Sequence, residues 1–310
     1  MFSTIPGIKA GHYTDRKALT GCTVILCPPN TVGSCDIRGS APGSRETPLL
    51  DPEKTMNQVN AILLTGGSAF GLAAADGVVK YLVDHDIGYE TPWVKVPIVP
   101  AAVVFDLNVG DKNVRPLPEN AYAACEASAE EDIERGTVGA GTGATVGKWK
   151  GPQYWMKGGV GTAEYKHGEL IVSALAVVNA IGDVYGEDGK ILAGARHPDG
   201  GYWADVDPGA RFGDVQLPLT TNTTLVVVAA NAMLNKLDVY KLCRRAQTGM
   251  ARAVKPAHTS HDGDCVFGLA TGTVEVPVDI VGEIAAEVTA DAIRDGVRTA
   301  SGIENIPGAA

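Results

Sequence analysis

Thr223 follows Asn222 at the head of an apolar run, Thr223-Thr224-Leu225-Val226-Val227-Val228-Ala229-Ala230, and an acidic pair, Asp262-Gly263-Asp264, lies further along the same C-terminal segment. A hydroxyl residue at the start of a rigid strand has two chemical uses. It can attack the carbonyl before it and cut its own chain, and the α-amine so released can serve as the built-in base of a hydrolase. That chemistry asks for a preceding residue that tolerates a strained peptide and for acidic groups to hold the new ammonium. An unperturbed α-amine titrates at about 7.7–8.0, already close to working pH for a general base. The residue types alone leave the matter open. Threonines before a Val-rich strand are common because β-branched residues favour strands. Thr220, Thr221, Thr223 and Thr224 all stand in the cluster, so the nucleophile is ambiguous. Asp-Gly-Asp is also the ordinary composition of a polar turn.

Two further residues fit the same chemistry. Asn179 ends the apolar run Leu170 to Val178, and a buried amide there needs partners. It reads either as a strand-end turn former or as an oxyanion donor, often the largest electrostatic contribution to acyl transfer. Lys148 follows the Gly-rich stretch Gly139 to Gly147 and is either a solvated loop lysine or a cation that depresses the nucleophile's pKa. The same stretch does not complete a phosphate-binding loop, because Trp149 stands where a hydroxyl residue would follow Gly147-Lys148. His258 and His261 are three apart and read as exposed loop residues rather than a metal pair. Ser68 lacks the spacing of a nucleophile elbow and reads as a helix cap.

The elements that must position these residues alternate between strands and helices. Strands are expected at 23–27, 61–65, 97–104 (confined by Pro97 and Pro100 to an edge or a strand entrance), 170–179, 223–230 and 266–270. A helix is expected after Ser68, with Leu72, Ala75, Val79 and Val83 on one stripe and Gly88 as a stop. Others are expected over 119–134, over 236–254 with Leu237, Tyr240, Met250 and Val254 inward, and over 280–299 with Ile284, Val288 and Ala292 inward. Residues 182–221, rich in Gly, Asp and Pro, read as a long surface excursion. Strands with little polar alternation between helices imply a layered α/β protein.

Composition narrows the function classes. The chain has 310 residues, 45% hydrophobic and 20% charged, and a net charge of −10 without any basic stripe, which argues against nucleic acid and anionic membranes as partners. No apolar run reaches the roughly 18 residues of a membrane span, and the N-terminus lacks the pattern of a secretory signal. The six cysteines show no CxxC spacing and read as reduced and buried, in keeping with a cytoplasmic protein.

Taken together, Asp36-Ile37-Arg38-Gly39-Ser40-Ala41-Pro42-Gly43, Leu64-Thr65-Gly66-Gly67-Ser68-Ala69-Phe70-Gly71-Leu72 and the Asn222-Thr223 strand resemble the self-processing L-aminopeptidase/D-esterase (β-aminopeptidase, P1 peptidase) family, from about residue 5 to the C-terminal helix. Within it the likeness leans to the nylon-oligomer (6-aminohexanoate-oligomer) endohydrolases, which cut between Asn and Thr and carry an Asp-Gly-Asp, a lysine after the Gly-rich stretch and a strand-end asparagine. The resemblance implies an αββα sandwich akin to N-terminal nucleophile hydrolases, formed by one hydrolase domain over 1–310 that is cut into 1–222 and 223–310. It implies Thr223 as nucleophile, Asn179 as oxyanion donor, Asp262 and Asp264 orienting Thr223, and Lys148 tuning the local field. Phe105 and Asp106 would lie near the substrate, Phe105 where the nylon-oligomer enzymes have Tyr. No cofactor or metal is implied, and a homo-oligomer, a tetramer or larger, is. Two other readings stay in play: an aminopeptidase or amidase on short peptides or amino-acid amides, and a non-catalytic small-molecule binding protein of the same fold.

Overall fold

A computed structural model describes residues 2–130, 132–209, 222–303 and 305–309. Its main strands are β1 (Lys9–Asp15), β2 (Thr20–Leu26), β3 (Val32–Ile37), β4 (Ser44–Arg45), β5 (Ala61–Thr65), β6 (Ala101–Val103), β7 (Val160–His167), β8 (Leu170–Asn179), β9 (Asp183–Tyr185), β10 (Ile191–Ala193), β11 (Thr223–Ala232), β12 (Val254–Lys255) and β13 (Cys265–Val274). The longer helices are α1 (Ala75–Asp84), α2 (Pro118–Glu126), α3 (Lys236–Ala253) and α4 (Val278–Arg298). One five-stranded sheet has the order β1-β2-β5-β6-β4 and a second the order β7-β8-β11-β13-β3. Each holds one parallel pair, β5 with β6 and β11 with β13.

The strands carry apolar residues on both faces because both faces are covered. The two-residue period of a strand still sorts them. In β11, Leu225, Val227 and Ala229 pack between the sheets with Ile25, Ile62 and Leu64, while Val226, Val228 and Ala230 meet α3 and α4. On the far side, Val24, Leu26 and Leu63 pack under Ala75, Val78 and Leu82 of α1 and Ala121 and Cys125 of α2. The layers are therefore helix, sheet, sheet, helix: the αββα sandwich expected from the resemblance.

The six expected strands are found, though β1, β3, β4 and β7 had no counterpart in the sequence reading; helix phase is met on α4, where Val288 and Ala292 are buried, and only in part on α1 and α3. On α1 the buried residues are Ala75, Gly77, Val78 and Leu82, whereas Val83 is 56% exposed. On α3 they include Val239, Leu242, Cys243, Ala246 and Met250, and Leu237 is 51% exposed. Small residues such as Ala75, Cys243 and Ala246 lie in the cores under these helices, and Gly77 and Gly249 meet the neighbouring helices, so a stripe traced through the bulkiest side chains falls a residue or more away from the true one. Ser68 is not a helix cap: it has φ 53 and opens a 3₁₀ turn, Ser68–Ala74, that precedes α1. The helix expected over 119–134 stops at Glu126. The segment from 182 is no bare excursion, since β9 pairs with β10 and β12 in a small sheet and Trp203–Val206 forms a helical turn. Its remainder, 210–221, lies outside the described residues. All six cysteines are free and buried.

Helix α4 lies on the second sheet at van der Waals closeness because glycines meet there. A Cβ added at Gly161 of β7 would stand 2.1 Å from the carbonyl oxygen of Ala292 and from the amide nitrogen of Gly296. Backbone cannot step aside as a flexible side chain can. Gly161→Ala is expected to destabilise the protein by about 1–3 kcal/mol or more, read as a lower urea midpoint at unchanged slope.

Candidate active site

Three strand ends converge at one edge of the space between the sheets. The β8–β11 register places Asn179 directly opposite Thr223. Both fall on the inner face of their strands, in step with Leu175 and Val177 on one and Leu225 and Val227 on the other. The parallel β11–β13 ladder begins at Leu225 and Cys265, and a bridge between Asn222 and Asp262 extends it backwards. Thr223, Asn222, Asn179, Asp262 and Asp264 are thus brought together by register alone. Lys148 joins them from the loop after a left-handed Gly147 (φ 69), its amide fixed on the carbonyl of Ile181 at 2.8 Å. All six residues are buried.

The Thr223 hydroxyl donates a short hydrogen bond to the carbonyl oxygen of Asn222, the carbonyl that it would attack. The same oxygen accepts the Gly263 N–H at 2.9 Å. A Cβ at position 263 would stand 2.9 Å from Thr223 Oγ1 and 2.8 Å from the carbonyl of Ala41, so the acidic pair is split by glycine for a spatial reason. The Asn222 side chain donates to the carbonyl of His261 at 3.3 Å.

The two carboxylates hold backbone rather than the hydroxyl. Asp264 Oδ1 accepts the Thr224 N–H at 2.7 Å, and Oδ2 accepts the His258 N–H at 2.8 Å and lies 3.0 Å from His258 Nδ1. Asp262 Oδ2 accepts from Thr259, the hydroxyl at 2.5 Å and the amide at 3.1 Å. Burial, with the neighbouring Asp264 charge second, raises the Asp262 pKa above the usual carboxylate range. The loop behind them is the Asp36–Gly43 stretch: the amides of Arg38 and Gly39 donate to the carbonyl of Asp264, and that of Ala41 to the carbonyl of Asp262.

Lys148 Nζ donates to the side-chain oxygen of Asn179 at 2.7 Å and to its carbonyl at 3.0 Å. Burial lowers the Lys148 pKa to about 7 against the opposing pull of Asp262 and Asp106. A solvated loop lysine it is not. The Asn179 oxygen also accepts the Thr145 N–H at 3.0 Å, and its amide nitrogen donates to the carbonyl of Phe105 at 3.3 Å. Phe105 therefore reaches the site through its backbone and is half-buried. Asp106 is buried, with Oδ2 accepting from Thr20 at 2.6 Å and Oδ1 from the Gly67 N–H at 2.7 Å, so its oxygens serve the Gly66-Gly67 turn.

Sequence reasoning missed three participants. Gly263 contributes a backbone N–H, which no residue type signals. His258 was read as exposed, yet its Nδ1 faces Asp264 and its Nε2 is buried. Lys157 is buried beneath the Gly-rich loop, with Nζ donating to the carbonyls of Gly141, Ala144 and Gly158 at 2.7–2.9 Å. Burial pulls its pKa down to about 7, but three acceptors around one nitrogen require the three protons of an ammonium, so the charged form fits. A lone lysine in Trp155-Met156-Lys157-Gly158-Gly159-Val160 was the available signal. Among the described residues no group of three or more His, Cys, Asp and Glu is placed to hold a metal ion, and no helix is long and apolar enough to cross a membrane.

An attacking hydroxyl, a doubly hydrogen-bonded carbonyl and a cation poised near neutrality together suit acyl transfer at the Asn222–Thr223 bond. Known proteins bear on that chemistry. An uncharacterized aminopeptidase of Mycobacterium leprae (strain TN) is 43% identical over 290 residues, covering 87% of this chain and 78% of that protein. A 6-aminohexanoate-oligomer endohydrolase of Kocuria sp. (strain KY2) is 28% identical over 284 residues, covering 88% of this chain and 75% of that protein. The lean towards the nylon-oligomer enzymes is thereby corrected, since the chain is more similar to the mycobacterial aminopeptidase. In structure it is similar to the L-aminopeptidase D-Ala-esterase/amidase from Ochrobactrum anthropi, described as a variant of the Ntn hydrolase fold, with a TM-score of 0.74 at 18% identity over all of this chain and 90% of the other. A model of peptidase family S58 matches residues 2–309, and the chain accordingly belongs to that family of hydrolases.

Proposed function

We propose that this chain is a self-processing amide hydrolase with Thr223 as its N-terminal nucleophile, acting as an aminopeptidase or amidase on short peptides or amino-acid amides. The observation that carries the reading is the Asn222 carbonyl oxygen, which accepts both the Thr223 hydroxyl and the Gly263 N–H. The similarity to a protein named as an aminopeptidase supports the substrate class.

In processing, the Thr223 hydroxyl adds to the Asn222 carbonyl carbon and the Asn222–Thr223 C–N bond breaks. Its proton passes to the departing nitrogen. The resulting ester joins Asn222 to Thr223 Oγ1, and water hydrolyses it to a carboxylate, a free hydroxyl and an α-amine. The Gly263 N–H is placed for the oxyanion of this step. In the mature enzyme, chains 1–222 and 223–310, the same hydroxyl attacks a substrate amide and the α-amine takes its proton. Asn179, opposite Thr223 in the strand register, supplies an oxyanion donor through its side-chain amide. Asp264 fixes the strand just after the nucleophile, and Lys148 sets the local field through Asn179. An endohydrolase of 6-aminohexanoate oligomers is the second reading, supported by the 28% identity over 284 residues to an enzyme of that name.

Denaturing electrophoresis of purified protein should give two fragments, with Thr223 as the new N-terminus by sequencing. Thr223→Ala should give one band near 32.2 kDa and no amide hydrolysis. A wild-type chain that stays whole, or an alanine variant that still splits, overturns the reading. Asn179→Ala is expected to slow turnover by about a hundredfold to a thousandfold. Faster release of amine from an amino-acid amide than from an N-capped internal amide supports exo activity; the reverse order supports the endohydrolase.

The Lys148 assignment carries its own pH signature. With a folded pKa of about 7 against 10.5, the unfolded chain binds a proton that the folded chain lacks throughout that window. Stability from this residue therefore rises with pH across it. Lys148→Met should flatten that rise when denaturant midpoints are compared at about pH 7 and about pH 9; equal slopes in the two proteins would contradict a buried, readily deprotonated amine.

A further inference from the structure

We propose that His258 is a positioning residue for the nucleophile, acting through Asp264; the inference rests on the reading of Thr223 given above. Asp264 is 2% exposed, and its carboxylate is fixed by three donors from two segments. Oδ1 takes the Thr224 N–H, the amide next after the nucleophile, at 2.7 Å. Oδ2 takes both the main-chain N–H of His258 at 2.8 Å and its ring Nδ1 at 3.0 Å. One residue thus grips one carboxylate oxygen twice, and the other oxygen grips the start of β11. With Nδ1 as donor to this oxygen, Nε2 is buried with no partner among the described residues.

The backbone gives an independent reason to think the imidazole matters. His258 has φ 59, in the left-handed region where a side chain is strained. A loop that needed only that conformation would be served better by glycine. A histidine held there, with both its N–H and its ring directed at one oxygen, is what a requirement for the side-chain donor produces. The rest of the loop is tied to the scissile residue as well: Gly263 N–H and the His261 carbonyl engage the Asn222 main chain and side chain respectively. Loss of the ring leaves Oδ2 with the main-chain N–H of residue 258 alone, so Asp264 is held less firmly against Thr224 and the start of β11 is less firmly set against Asn179 and Lys148.

Two substitutions separate this role from loop architecture. His258→Gly keeps the left-handed backbone and removes the ring. His258→Asn tolerates the same backbone and brings an amide N–H close to the position of Nδ1. The readouts are the first-order rate of fragment appearance from freshly refolded chain, and kcat and KM on an amino-acid amide, with thermal unfolding as the check on folding. The glycine variant should stay folded while cleavage and kcat fall about ten- to a hundredfold, the range of a lost charge-assisted hydrogen bond, and KM should move little. The asparagine variant should recover most of both rates. In an Asp264→Asn background, adding His258→Gly should cost little more. A folded glycine variant with wild-type rates overturns the proposal. So does an asparagine variant no better than glycine, or a full additional loss in the Asp264→Asn background. If wild-type chain does not split at Asn222–Thr223, the reading of Thr223 fails instead, which the same gel shows.

Discussion

The site depends on a peptide carbonyl that is held from both sides. Asn222 sits where the β11–β13 ladder has one more rung than the strands themselves, and the Gly263 N–H fixes its oxygen while the Thr223 hydroxyl lies against the same atom. Neither contact comes from a mobile side chain. The ladder sets the Gly263 amide, and the Thr223 Cβ leaves its strand at a position dictated by the inner-face period. A fixed donor at a carbonyl costs no reorganisation as charge develops on the oxygen, the condition under which such donors contribute most. In the proposed chemistry, the fold has done the orienting before any substrate arrives.

Around that carbonyl, charge is kept buried and enclosed by backbone. Lys157 draws two carbonyls of the Gly-rich segment, those of Gly141 and Ala144, together with that of Gly158, and this segment leads into Gly147 and Lys148. Lys148 in turn donates to the side-chain and main-chain oxygens of Asn179, the residue opposite Thr223. Around Lys157 the three carbonyl acceptors match the three protons of an ammonium, which suits the charged form in a buried setting.

Much of this frame was legible in the residues. β5 and β8 fall where the apolar runs 61–65 and 170–179 place them, because a strand buried on both faces has no other composition to choose from. Thr223, Asn179, Lys148 and the acidic pair were singled out and do converge. Helix phase was misread on α1 and α3, since small residues such as Ala75, Cys243 and Ala246 lie in the cores under these helices and bulk is a poor guide where they set the spacing. The burial of Lys148 and the grip of His258 were illegible for a different reason. Both follow from which loop carbonyl or carboxylate lies opposite, and that is fixed by long-range pairing, not by local pattern.

The acidic pair also bears on substrate choice, in a direction opposite to its first reading. Asp262-Gly263-Asp264 was the motif that pointed to a nylon-oligomer hydrolase, yet neither carboxylate faces outward: Asp264 is occupied by Thr224 and His258, and Asp262 by Thr259. Groups spent on holding backbone cannot discriminate an acyl chain from a peptide. From the first sheet the site receives Phe105, just beyond the C-terminal end of that sheet's parallel pair and bound to Asn179 through its carbonyl. The contact is made by main chain, so it persists whatever side chain stands at position 105.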